Sequence, residues 1–133
     1  MKIFTSEVTV RGFHIDVFGH TNNARYLEFL EIARWDALKP LIDSGFFAKR
    51  NLGFVVVNIN INYQNPSFIN DILIIHSQIK KINNKSTVVH QQVFNKATKL
   101  PVCNADVTFV LMDLKTRKAI FIDDETRTVF KNL

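Results

Sequence analysis

A lone carboxylate lies upstream of two asparagines at the start of an amphipathic segment, and a carboxylate near a helix start could form a site that attacks a carbonyl group. Residues 16–26 read DVFGHTNNARY, which puts Asp16 seven positions before Asn23. A helix start offers free backbone N–H groups and a positive dipole end, and both stabilise an oxygen that gains negative charge. A nearby carboxylate can attack the carbonyl carbon or activate water. The spacing therefore indicates acyl chemistry.

The same residues also have a purely structural interpretation. Asp and Asn ahead of a helix mostly act as caps and turn residues, because their side chains accept hydrogen bonds from the first free N–H groups. Asn22 and Asn23 already supply such capping groups, and Asp16 is too far upstream to cap the helix. We therefore interpret Asp16 as a spare carboxylate and a candidate catalytic side chain.

One long helix is predicted to position this run. Helical periodicity extends from Asn23 to about Ile42, with Pro40 near the end. We expect Arg34, near the middle of the apolar face, to pair with Glu31 three residues earlier. The apolar face consists of Tyr26, Leu27, Leu30, Ala33, Ala37, Leu38 and Leu41. Further apolar side chains on the opposite side predict a surface for a partner: Phe29, Ile32 and Trp35.

The rest of the chain is predicted to form strands. Residues 2–11 are rich in β-formers, and further strands are predicted over residues 72–81, 87–94 and 103–111. Residues 121–133 are predicted to hold a short strand and a terminal helical turn. Between residues 55 and 64 the period is two, with an apolar side of Val55, Val57, Ile59, Ile61 and Tyr63 and an opposite side of Val56, Asn58, Asn60, Asn62 and Gln64. One helix and about five antiparallel strands predict an α+β fold, a curved sheet wrapped around the helix.

Length and composition limit the class of protein. The 133 residues correspond to a single domain over residues 1–133, with one cysteine and no apolar run long enough for a membrane span. The start of the chain alternates instead of resembling a signal peptide, which favours the cytoplasm. The net charge of +5 is spread over short basic clusters, so we expect no nucleic-acid partner. The clusters are Lys80, Lys81 and Lys85, then Lys96 and Lys99, then Lys115, Arg117 and Lys118.

Other reactive side chains give weaker signals. His14, His76 and His90 lack the spacing of a zinc site, so no metal is expected. Cys103 lies on the apolar side of a predicted strand without a histidine partner. It is expected to be a small buried side chain and not a nucleophile.

The run around Asp16 resembles the hotdog-fold thioesterases of the 4-hydroxybenzoyl-CoA thioesterase type. That family carries Asp-x-x-Gly-His-x-Asn-Asn-x-x-Tyr followed by Glu-x-x-Arg, and this chain has the first pattern over residues 16–26 and EIAR over residues 31–34. Residues 63–66, YQNP, are similar to the family's aromatic-x-x-Pro strand end. The resemblance covers nearly the whole chain. It departs at Asn70-Asp71, where relatives often have Gly-Asp, and in the sparse glycine content.

The resemblance implies a hotdog fold and hydrolysis of an acyl-CoA thioester to the free acid and CoA. Asp16 would be the nucleophile or the general base, and the Asn23 backbone N–H would polarise the thioester carbonyl. Coenzyme A would be part of the substrate and no separate cofactor is expected, while the basic clusters could hold its nucleotide. The residues that would shape the loop or contact the substrate are Gly19, His20, Asn22 and Tyr26.

The resemblance also implies a homodimer or homotetramer, since a single sheet leaves an edge free. The acyl tunnel would then lie between subunits, lined by residues 16–26 of one chain and residues 57–61 of another. Asn58, Asn60 and Asn62 are expected to face water. Two alternatives stay open. One is a thioesterase for acyl carrier protein, whose acidic surface a basic enzyme attracts, and the other is a non-catalytic acyl-binding protein of the same fold.

Overall fold

A long helix packs across one face of an antiparallel sheet in the computed structural model, which describes residues 2–133. A short 3-10 helix, Gly12–His14, lies between the first strand and the long helix. In chain order the elements are β1 (Phe4–Thr9), α1 (Asn23–Asp43), α2 (Phe46–Arg50), β2 (Leu52–Tyr63), β3 (Ile72–Ile82), β4 (Ser86–Asn95), β5 (Pro101–Asp113), β6 (Lys118–Ala119) and α3 (Asp124–Lys131). The predicted α+β arrangement, a curled sheet around one long helix, is confirmed.

The sheet order is β1-β3-β4-β5-β2, with the short β6 paired to β5. All of these pairs are antiparallel. Because β1 and β2 come first and last in the strand order, they form the two edges of the sheet. One edge of β2, a strand of 12 residues, has no neighbouring strand in the described part of the chain. The helix lies over the inner face of the sheet. On this face, side chains of neighbouring strands lie opposite one another and form rows across the sheet. One such row is Ile75, Val93, Cys103 and Tyr63.

A β-bulge in β2 changes the predicted alternation. The register with β5 shifts between Val56 and Asn58. Val56 therefore pairs with the buried Phe109 on the inner face, while Val55 pairs with Val110 on the outer face. The assignment of Val55 to the same side as Ile59 was wrong. The extra residue at the bulge exchanges the two faces of the sheet for the residues of β2 that precede it.

The buried side chains form two clusters along α1. The front core, under the first half of the helix, is Val10, Tyr26, Phe29, Leu30, Ala33, Leu73, Ile75, Val93, Val102, Cys103, Ala105 and Val107. The back core, under the second half, is Leu38, Leu41, Phe46, Phe47, Leu52, Val89, Phe109, Leu111 and Phe130. Phe29 is only 2% exposed, so its assignment to a partner surface was wrong, whereas Ile32 and Trp35 do lie exposed. Leu27, predicted on the core face, is also exposed.

Arg34 has a different hydrogen-bond partner from the one predicted. Its Nη1 donates to Oε1 of the fully buried Gln91 at 3.0 Å, and Gln91 Nε2 donates to Leu30 O and Ser77 Oγ. Glu31 instead accepts from Trp35 Nε1 at 3.3 Å. Burial lowers the pKa of Arg34, and the charge of Glu31 opposes that shift. The expected ion pair is therefore replaced by a bond to β4 that fixes the middle of α1 to the sheet.

The described helices are short or polar by the standards of a bilayer. None of them within residues 2–133 combines the length and the apolar character that a membrane crossing requires.

Candidate active site

A tight turn holds Asp16 at the end of the loop before α1. Gly19 N–H donates to Asp16 O at 3.1 Å, and Gly19 has φ +87°, a left-handed conformation that favours glycine. Asp16 Oδ1 accepts from Phe18 N–H at 2.9 Å. The carboxylate is thus not wholly spare, since one oxygen closes an Asx-type turn. No donor within residues 2–133 bonds to Oδ2 of Asp16, which leaves that oxygen for other chemistry.

Asn22 caps α1, as predicted. Its backbone is extended, and its Oδ1 accepts from Ala24 N–H at 2.9 Å. Asn22 O accepts from Arg25 N–H at 2.9 Å. Asn23 is the first helical residue, and its N–H has no acceptor among the residues that the structure describes. The helix start therefore presents one unused backbone donor at the position expected to polarise a carbonyl.

A buried cluster of three hydroxyl groups lies behind the helix start. Ser67 Oγ lies 2.7 Å from both Thr21 Oγ1 and Tyr26 Oη, and Thr21 N–H donates to Ser67 O at 2.8 Å. Ser67 is fully buried. The hydroxyl cluster joins the loop, the first turn of α1 and the connection after β2, so it fixes their relative positions. The sequence analysis did not identify Ser67, because an isolated serine gives no periodic signal.

A second tyrosine links the end of β2 to the helix start. Tyr63 Oη donates to Asn23 O at 3.1 Å, and the rings of Tyr63 and Tyr26 lie 5.7 Å apart. Burial, the nearby Cys103 and Tyr26 raise the pKa of Tyr63, so its hydroxyl keeps its proton at neutral pH. The aromatic-x-x-Pro motif was noted in the sequence, but Tyr63 was not assigned to the site.

These elements enclose a cleft of about 530 Å³. Five of the predicted residues line it, whereas Gly19 does not and contributes only the turn. The strand end after β2 supplies a wall that sequence reasoning missed. The lining residues are Asp16, Phe18, His20, Thr21, Asn22, Asn23, Tyr26, Tyr63, Gln64, Asn65 and Pro66.

The remaining reactive side chains lie elsewhere. Burial raises the pKa of the Cys103 thiol to about 12, which leaves it protonated and poorly nucleophilic. His14 Nδ1 accepts from Arg11 N–H at 2.8 Å, and burial together with Arg25 lowers its pKa. Asp106 binds Lys80 and His90, and hydrogen bonds from these two side chains lower its pKa. Within residues 2–133 no three His, Cys, Asp or Glu side chains are grouped so that they could hold a metal ion.

The cleft has the parts that acyl transfer to water requires. A carboxylate with a free oxygen and an unused helix N–H line the same space, so an electrophilic carbonyl between them could accept a nucleophile while its oxygen is stabilised. The apolar rings of Phe18, Tyr26 and Tyr63 surround that space.

The sequence has clear relatives. Residues 10–130 match the family model described as the thioesterase-like superfamily. The chain is 46% identical over 122 residues to the long-chain acyl-CoA thioesterase FadM of Escherichia coli strain K12, covering 92% of each chain. It is also 28% identical over 124 residues to the putative acyl-CoA thioesterase YneP of Bacillus subtilis strain 168, covering 90% of this chain and 87% of that protein.

A solved structure agrees with these relatives. The crystal structure of YbaW, a probable thioesterase from Escherichia coli, superposes with a TM-score of 0.89 at 45% sequence identity, covering 94% of each chain. The family and the class of enzyme expected from the sequence are thereby confirmed. The chain belongs to the thioesterase-like superfamily and is a thioester hydrolase with the hotdog fold.

Proposed function

We propose that this protein hydrolyses long-chain acyl-CoA thioesters in the cleft that contains Asp16. One observation carries the proposal: the free oxygen of Asp16 and the unused N–H of Asn23 line a single cleft. The identity of 46% to a long-chain acyl-CoA thioesterase supports the choice of substrate.

Asp16 acts at the thioester carbonyl in one of two ways. As a general base, its Oδ2 takes a proton from water while the water oxygen bonds to the carbonyl carbon. As a nucleophile, Oδ2 itself bonds to that carbon, and water later cleaves the resulting anhydride. In both routes the Asn23 N–H donates to the oxyanion, and the C–S bond breaks to release the CoA thiolate. The bond from Phe18 N–H to Oδ1 orients the carboxylate for either attack.

The acyl chain extends from the cleft along the inner face of β2. Tyr63 lines the cleft, and Ile61 and Ile59 follow it on the same face as half-buried side chains that pack on the front core. No acidic side chain belongs to this row. An apolar strip that begins at the reacting carbonyl suits a long alkyl chain.

The proposal includes a homodimer that pairs through the free edge of β2. Val55, Val56 and Val57 are exposed at this edge, and an unpaired strand presents a row of N–H and C=O groups to a second copy. A second β2 running antiparallel would extend the sheet past this edge and bring the partner's inner face and long helix beside the apolar strip, so each subunit would line part of the acyl tunnel of the other. Sedimentation velocity on wild type and on Val57→Lys tests this, because a charge at the edge should shift the protein towards monomer.

Thiol release from a panel of acyl-CoAs tests the activity. Wild type should prefer long acyl chains, and Asp16→Asn should lower kcat by about 10²- to 10⁴-fold, because the amide can neither accept the proton nor attack. Asp36→Asn, an equal change at an exposed position of α1, is the matched control and should keep wild-type activity. An acyl carrier protein carrying the same acyl chain completes the panel.

Two results would overturn the proposal. In one, a folded wild-type protein releases no thiol from any acyl-CoA in the panel. In the other, Asp16→Asn turns over the substrate as fast as Asp36→Asn does.

A further inference from the structure

The outer face of the sheet, on the side away from α1, changes character along the strands. In the middle of the sheet two successive rows are polar: His76, Gln92, Asn104 and Asn62, then Gln78, His90, Asp106 and Asn60. Towards the start of β2 and the end of β5 the same face is apolar. These side chains form the outer patch: Val55, Val110, Met112, Leu114, Ala119 and Phe121. A sheet face in contact with water usually carries polar side chains, so the apolar end indicates a contact surface.

Two large side chains of the outer patch stand in solvent. Phe121 is 69% exposed and Leu114 is 41% exposed. Phe121 follows β6, where Ile120 N–H donates to Leu111 O at 2.9 Å and so continues the pairing with β5. Leu114 lies over Gly53, since a Cβ atom at that glycine would come within 3.0 Å of Leu114 Cδ2. The patch is therefore held by the end of the sheet and projects from it.

Basic side chains flank the outer patch. Lys85 Nζ lies 4.5 Å from the centre of the Phe121 ring. The turn between β5 and β6 adds Lys115, Arg117 and Lys118, all of them exposed. None of these four side chains forms an ion pair within residues 2–133. Two turns at one end of the sheet thus place positive charge beside the exposed apolar side chains.

The carboxylates at this end of the molecule are engaged or belong to another element. Asp113 Oδ1 accepts from two backbone N–H groups of its own turn, at 2.8 and 3.0 Å. Asp123 caps α3, and Asp124 and Glu125 lie in its first turn. That helix packs on the back core through the buried Phe130, on the inner face of the sheet. The outer patch is therefore bordered mainly by positive charge.

We propose that the outer patch docks on the surface of an anionic lipid bilayer. Phe121 and Leu114 enter the interfacial layer, and the flanking basic side chains meet the anionic headgroups. A second copy of this chain fits the patch less well, because its basic side chains would face those of the first. A bilayer also requires no shaped groove, which suits side chains that project from a sheet face.

Docking in this way leaves the cleft open. Tyr63, which lines the cleft, is at the end of β2, whereas Val55 of the outer patch lies eight residues earlier, about 25 Å along a strand. The inference goes beyond the proposed function, because docking needs no turnover. If the proposed function holds, the substrate carries a long alkyl chain that also favours a bilayer, and enzyme and substrate meet at the same surface.

Co-sedimentation with lipid vesicles tests the docking. The probes are vesicles of phosphatidylcholine alone and of phosphatidylcholine and phosphatidylglycerol in a two-to-one ratio. Wild type should bind the anionic vesicles at least tenfold more tightly, and added salt should remove most of that difference. Phe121→Ser should weaken binding at least fivefold. Phe13→Ser is the matched control, since Phe13 is 71% exposed and lies next to the cleft end of the sheet, and it should bind as wild type does.

A second pair of variants tests the charge and does not depend on Phe121. Lys115→Gln combined with Lys118→Gln should weaken binding to the anionic vesicles at least tenfold. The same two changes at Lys96 and Lys99, in the turn between β4 and β5 at the other end of the sheet, are the matched control. Asp16→Asn should bind the vesicles as wild type does, which separates docking from the catalytic proposal.

Three results would overturn the inference. In the first, wild type binds the two kinds of vesicle equally or binds neither. In the second, Phe121→Ser binds the anionic vesicles as tightly as Phe13→Ser does. In the third, Phe121→Ser has a lower sedimentation coefficient than wild type without vesicles, which would assign the outer patch to a contact between copies of this chain.

Discussion

The front core and the back core use one helix and one sheet in different ways. Around the front core, Leu30, Leu73 and Val107 are completely buried, and the hydroxyl cluster of Thr21, Tyr26 and Ser67 closes the end nearest the cleft. The back core relies on aromatic side chains and borders a cavity. The half of the molecule that holds the cleft is thus closely packed, which fixes the positions of its side chains. The other half contains unfilled space. The comparison teaches that this fold tolerates looser packing at one end of α1 while it holds the residues of the cleft in place at the other.

Truncating one leucine in each core should give the largest contrast. Leu30→Ala should lower the free energy of unfolding by about 4 kcal/mol, because Leu30 is 0% exposed and its neighbours cannot move in. Leu38→Ala should cost about 2 kcal/mol, since Leu38 already borders a cavity and has fewer contacts to lose. Urea unfolding of both variants measures this. Equal losses would contradict the difference in packing, and Ile32→Ala, at an exposed position, is the control.

Hydroxyl removal should have opposite effects in the two halves. Ser67→Ala leaves Thr21 Oγ1 and Tyr26 Oη without their shared partner, and it should cost about 1–3 kcal/mol and lower kcat. Thr87, opposite Phe109, has a fully buried hydroxyl without a partner in the described residues. Thr87→Val should therefore raise stability by about 1 kcal/mol. Thermal unfolding checks both changes, and a destabilised Thr87→Val would argue against the assignment.

The bond from Tyr63 to Asn23 should affect catalysis more than stability. Tyr63→Phe removes a partly exposed hydrogen bond, so the free energy of unfolding should fall by only about 1 kcal/mol. If the bond orients the helix start, kcat should drop about tenfold while KM stays the same, because the ring that lines the cleft is retained. Steady-state kinetics decide this. A change confined to KM would instead make Tyr63 a binding residue.

Acid should lower the free energy of unfolding through the two halves over different pH ranges. This change in stability should be smaller than those of the preceding variants. His14, whose ring lies 4.8 Å from that of Phe29 in the front core, has a lowered pKa. Protonation then favours the unfolded chain, so stability falls as pH drops below about 6.5 and levels off below the folded pKa. Asp123 caps α3 beside the back core, and bonds from Thr126 lower its pKa, so its contribution is lost only as pH falls through that lower value. Unfolding of His14→Asn across pH should show a flatter profile between pH 7 and 5 than wild type.

Local patterns predicted most of the fold. The 3.6-residue period fixed α1 to within about one residue at each end, and the two-residue period located β2 to β5. The run of three valines at 55–57 has no alternation, so nothing in it indicated where the bulge would reverse the phase. The partner of Arg34 was missed because Gln91 lies 57 residues further along the chain. Within the site, the Asn22 cap was available from local sequence, and so was the turn at Asp16, from an Asp followed three residues later by Gly.

Tyr63 lies on the strand that has a free edge, and its hydroxyl contacts the first residue of α1. A second strand paired to that edge would also restrain the peptide groups that face the cleft, and so would connect assembly to catalytic activity. If two copies pair there, specific activity should rise with enzyme concentration and reach a plateau once the pairs are complete. The enzyme would then be switched on by its own abundance.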